Sequence, residues 1–148
     1  MQSKSKIAIA SILTNAALFA FLYIRQVSEA AGLQADAQGL ARSWGLYFLW
    51  FVGGSIVLNI AITMFLTGRD RAQGGRGFDE VTDERDRYLE LNALRVFALL
   101  LSAGFLTGML LLAIGQGLEA AFRTWAWTAL ISGIGLNVTY VLGYERGL

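Results

Sequence analysis

The residues with the strongest claim on chemistry in this chain are carboxylates and arginines gathered just before its third apolar stretch. On a helix, Asp83, Asp86 and Glu90 fall in one narrow stripe, joined by Asp79 if the helix begins earlier. Carboxylates so arranged can hold a divalent cation or receive a basic partner. The same segment, FDEVTDERDRYLELNALRV at residues 78–96, also carries Arg85, Arg87 and Arg95, and Asp83 with Arg87 makes a favourable i, i+4 pair. A solvated lattice of ion pairs therefore competes with a docking surface formed by Asp83, Glu84, Arg85, Asp86, Arg87 and Glu90.

Much other chemistry is excluded by composition. The chain has no His and no Cys, so it cannot supply the usual ligands of haem, zinc or an iron-sulfur cluster, nor an imidazole base. The glycine-rich run GRDRAQGGRG at residues 68–77 is not a phosphate loop, because no Gly-Lys-Ser/Thr follows and no strand precedes it. The carboxylates all lie outside the apolar stretches, with no His or Cys beside them. Neither an enzyme nor a cofactor, a resident metal or a nucleic-acid partner is expected.

The elements that must position these charges are set by hydropathy. Residues 7–24, 44–67, 96–114 and 124–143 contain no Asp, Glu, Lys, Arg or His. Each is close to the roughly 20 helical residues needed to cross a hydrocarbon core of about 30 Å. A mean hydropathy of +0.52 over 148 residues agrees. The expected fold is all-α, one integral membrane domain over residues 1–148, a bundle of four transmembrane helices joined by a loop at 68–95. Lys4 and Lys6 ahead of the first run, with Ser28-Glu29-Ala30 behind it, imitate a signal peptide. The run is longer than a typical signal h-region and the small-residue site lies beyond its end, so a retained span is expected.

Nine of the twelve Lys and Arg residues fall in the N-terminal tail, the 68–95 loop and the C-terminal tail, against Arg25, Arg42 and Arg123 on the other side. The positive-inside rule then puts both termini and the loop in the cytoplasm. Thr82 can cap a helix whose first turn holds Asp83 and Glu84. Nothing stops that helix before the membrane, so one continuous rod is expected from about Asp83 through the third span, projecting roughly 18 Å.

Within the bilayer the polar residues are amides and hydroxyls. Asn15, Asn59 and Asn137 each lie about 9 to 12 Å from the cytoplasmic edge of their span, and the third span meets that layer near Ser102. An amide in hydrocarbon seeks partners, so these residues are expected to face inward and bond across helices, as structural glue or as a polar binding site. Trp44, Trp50, Trp125 and Trp127 all fall towards the outer side and are expected to form an interfacial belt. Close packing is expected at Gly104-x-x-x-Gly108, at Gly53-Gly54 and along Ala129, Gly133 and Asn137, within one chain or between two.

The run Asp83-Glu84-Arg85-Asp86-Arg87, followed by Leu89, Glu90 and Ala93 and leading into a span, resembles the D-E-R-D signature of a family of small, uncharacterised four-helix prokaryotic membrane proteins. The likeness covers about twenty residues and the span layout. Asn92 stands where that family carries a lysine, so no role for a positive charge is carried to this position. The resemblance implies a multi-pass protein of the bacterial inner membrane and supplies no activity. The function expected is that of an interaction, regulatory or accessory subunit in the lipid bilayer, with a protein partner or as a homodimer, docking through the charged loop. The alternative is a small carrier or channel built on the asparagine layer.

Overall fold

The apolar stretches become four helices in a computed structural model of the chain, which describes residues 3–32, 36–72 and 84–146. These are α1 (Ser3–Ala31), α2 (Ala37–Ala72), α3 (Glu84–Ala113) and α4 (Leu118–Arg146). All four are long and apolar enough to cross a membrane, and there is no strand among the described residues. Large apolar side chains stand exposed along α2 from Leu46 to Phe65 and along α3 from Leu91 to Leu110. Water would not tolerate such faces on a folded monomer; lipid does.

The helices run past their apolar stretches until a backbone signal ends them. Once nucleated, a helix continues through polar residues at little cost, so polarity does not set its ends. Gly32 forms the turn after α1. At the start of α2 the Asp36 carboxylate accepts the Gln38 backbone N–H at 3.1 Å, as an N-cap does. α3 ends in a Schellman turn: Gly115 takes φ +84°, its N–H donates to the Leu112 carbonyl at 3.1 Å, and Gln116 N–H donates to Leu111 at 2.9 Å. Only glycine adopts that φ without strain, and the turn sends the chain straight back as α4.

Two antiparallel hairpins result, α1 with α2 and α3 with α4, joined chiefly where α1 meets α4. α2 touches α4 lightly, and α2 and α3 do not pack together. The chain's first and last helices therefore form the middle of the assembly and its second and third form the edges.

The α3–α4 contact is the most extensive, and it is a reciprocal interlock of glycines. In its half nearer the α3–α4 turn, α3 supplies the notches: a Cβ at Gly104 would overlap Thr128, and one at Gly108 would overlap Trp125. Towards the chain termini α4 supplies them, with Gly135 facing Leu100 and Val96, and Gly143 facing Leu89. Without a hydrophobic effect inside lipid, dispersion over such close surfaces is what drives helix association. The Gly104-x-x-x-Gly108 row is thus used within the chain. The expected row on α4 is displaced: Gly133 has open space around it, and Gly135 and Gly143 do the packing. Of the Gly53-Gly54 pair, Gly54 alone meets a neighbour, Leu18 of α1.

The buried apolar cluster sits in the halves of α1, α2 and α4 nearest the α1–α2 connection. It centres on Phe19, Trp44, Tyr47, Phe51 and Leu130. Trp44, expected in an interfacial belt, is enclosed by protein and has no open face. It is 0% exposed, stacks on Phe122 with ring centres 6.0 Å apart, and meets Tyr47 edge-on at 5.4 Å.

Candidate functional site

Local sequence dictates a helix at the charged segment, and that helix is α3, continuous from Glu84 through its 30 residues to Ala113. At about 1.5 Å per residue it is about 45 Å long, more than a hydrocarbon core requires, so its first turns reach beyond the membrane. Asp79, Thr82 and Asp83 lie outside the described residues, and Glu84, Arg85 and Asp86 occupy the first turn of α3. Arg87 and Glu90 are exposed, whereas Leu89 and Ala93 are buried. The rod is therefore not free-standing: Leu89 seats into the Gly143 notch and clamps its base to the end of α4. One side of the helix then carries Glu90, Leu94, Leu101 and Phe105, at roughly 100° per residue.

Two of the three asparagine amides bond back along their own helices. Asn59 Nδ2 donates to the Ser55 carbonyl at 2.8 Å, and Asn137 Nδ2 donates to Gly133 at 2.9 Å, each four residues back on its own helix. Thr14, Thr63, Thr107, Thr128 and Thr139 do the same with their hydroxyls. In hydrocarbon the nearest carbonyl acceptor is on the preceding turn and costs no interhelical alignment, so local bonding wins over the cross-helix bonds expected. Asn15 Oδ1 is buried with no partner, and Ser102 is exposed on α3. The side chains of Ser5 and Ser132 are fully enclosed, and no sequence signal marked them. Replacing Asn59 or Asn137 with Leu is expected to change stability by less than about 1 kcal/mol, and Asn15→Leu to be neutral or stabilising, because it removes an unsatisfied acceptor. Thermal unfolding of the three variants in one detergent checks this; a loss above about 2 kcal/mol at Asn59 or Asn137 would mean that the amides bridge helices after all.

The remaining tryptophans divide by neighbour. Trp125 fills the Gly108 notch, stacks on Phe105 with centres 5.6 Å apart, and donates its indole N–H to the Phe105 carbonyl at 3.4 Å. Trp127 is partly exposed and donates to the Tyr23 hydroxyl at 3.2 Å, linking α4 to α1. Trp50 has an open face. No protein-family model, curated protein or solved structure matches the chain.

What sequence reasoning missed is a groove. Because α2 and α3 stand apart, Phe48 of α2, Leu101, Phe105 and Leu106 of α3, and Ala129 of α4 surround an apolar space of about 760 Å³. Ser102 and Thr128 add hydroxyls to its wall, and Thr128 is already bonded to the Thr124 carbonyl at 2.8 Å. α3 is apolar on every side within the membrane, so no periodicity marked which of its faces would be left uncovered.

Proposed function

We propose that the chain is a non-catalytic integral membrane protein that serves as an accessory or regulatory subunit, engaging a protein partner through the charged beginning of α3 and the loop before it. The observation that carries this reading is the uncovered edge between α2 and α3. Its apolar groove is open along α3, and Leu101 and Phe105 on its wall share a face of α3 with Glu90, which lies eleven residues, or about three turns, before Leu101. A partner lying along that face meets apolar surface within the lipid and charge outside it. The bias of Lys and Arg supports cytoplasmic termini and a cytoplasmic loop, and the likeness to the D-E-R-D family supports the bacterial inner membrane. The carrier alternative has less behind it, since the amides of Asn59 and Asn137 are bonded to their own helices.

A photo-crosslinking residue placed at Phe105, and separately at Glu90, in native membranes tests the proposal. The same protein is expected from both positions, and Ser102→Trp, which fills the groove, is expected to abolish capture at Phe105. Glu90→Lys is expected to weaken the partner's affinity roughly tenfold while the amount of folded protein is unchanged, since Glu90 is exposed. Capture of lipid alone from both positions would overturn the reading.

A further inference from the structure

The outer ends of α1 and α2 enclose a second cavity of about 400 Å³, distinct from the groove. Its floor is polar and deeply set: Gln26 and Tyr47 are 5% and 3% exposed. Gln26 Nε2 donates to Ser43 Oγ at 2.7 Å, which ties the two helices together. The Tyr47 hydroxyl is buried with no hydrogen-bond partner. Ser43 is half-buried on the cavity wall and, as the acceptor of the Gln26 bond, keeps its own hydroxyl hydrogen to donate to a ligand.

The rim carries the charge. Arg25 holds Glu29 through Nε at 2.8 Å, while Arg42 is exposed and has no ion pair among the described residues. Two arginines and one glutamate leave the rim one positive charge in excess. Below it, Leu46, Trp50, Gly53 and Val57 lie on one face of α2, the three side chains exposed and the glycine opening a notch between them. From Leu46 to Val57 this apolar track spans about 17 Å along the helix, close to the roughly 15 Å of one leaflet's hydrocarbon.

We infer that this cavity is a headgroup site for one anionic phospholipid. The phosphodiester takes hydrogen bonds from Arg42 and from the Ser43 hydroxyl, its single negative charge balances the rim, and an acyl chain lies along the track beneath. A free phosphate shares the headgroup chemistry but makes no use of the track. A zwitterionic lipid leaves the rim's excess charge uncompensated.

The test is native mass spectrometry of the full chain in mixed micelles, titrated with phosphatidylglycerol, with phosphatidylcholine and with inorganic phosphate. One phosphatidylglycerol is expected to be retained, with about a tenfold preference over phosphatidylcholine. Arg42→Gln is expected to abolish the preference, and Ser43→Ala to weaken retention severalfold. Arg69→Gln, the same change of charge on exposed surface at the opposite end, is expected to have no effect. Displacement of the lipid by inorganic phosphate would assign the site to a soluble anion instead. Equal losses from Arg42→Gln and Arg69→Gln, or full preference in both cavity variants, would overturn the inference.

Discussion

Adding a single methyl group at Gly108 or Gly104 is expected to destabilise the fold by about 1–3 kcal/mol each, the largest effects of any glycine substitution in the described helices. At Gly108 the new carbon would overlap the Trp125 indole, coming within 2.7 Å of Cε2 and 2.8 Å of Cδ1. That ring cannot swing aside cheaply, because it is stacked on Phe105 and bonded to its carbonyl. At Gly104 the methyl would overlap the Thr128 side chain down to its Cβ, 2.5 Å away. A Cβ moves only with its backbone, so relief requires α4 to shift. Gly135→Ala and Gly143→Ala meet the ends of Leu100 and Leu89, which can change rotamer, and each is expected to cost less than about 1 kcal/mol. Gly53→Ala and Gly133→Ala meet open space and are expected to be neutral or stabilising, since alanine is the better helix former. Unfolding of the six variants by titration with a denaturing detergent should return that order. Equal costs across all six would mean that the interlock of α3 with α4 is not what holds the hairpin.

The order also locates what a reader of the sequence can and cannot find. Four helices were legible, because a charge-free apolar run of membrane length has almost no other fate. Their ends were less so: α1 and α2 run through Gln26, Glu29, Arg42 and Ser43 until Gly32 and Asp36 intervene, and backbone signals outrank polarity there. The Gly104-x-x-x-Gly108 row was legible because both notches repeat every four residues on one helix. Gly135 and Gly143 were not, being eight apart and matched to leucines on a partner whose register only the turn at Gly115 fixes. The asparagine layer was legible as a depth and misleading as a site, since depth says nothing of whether an amide bonds sideways or back along its own helix. Arg87 and Glu90 were legible as charge; the groove on α3 was not, because it exists only where α2 fails to reach α3.

Truncating Trp44 to Ala is expected to cost about 3–5 kcal/mol, while the same change at Trp50 stays within about 0.5 kcal/mol. The two lie six residues apart on α2, which at about 100° per residue turns them roughly 120° away from each other, so one environment cannot serve both. Trp44 is fully enclosed and packs on Tyr23, Tyr47, Phe48 and Phe122. Its removal opens a cavity between helices that lipid cannot fill, and every dispersion contact on the cavity wall is lost. Trp50 is 69% exposed, and its place can be taken by acyl chains at little cost. The indole N–H of Trp44 has no acceptor, so Trp44→Phe should recover most of the packing without losing a hydrogen bond. Quenching by brominated lipids separates the two positions independently of stability: in single-tryptophan variants Trp50 should be quenched strongly and Trp44 weakly. Equal quenching would return Trp44 to the interfacial belt, and with it would go the reading of α1, α2 and α4 as the closed side of the molecule and of the α2–α3 edge as its open one.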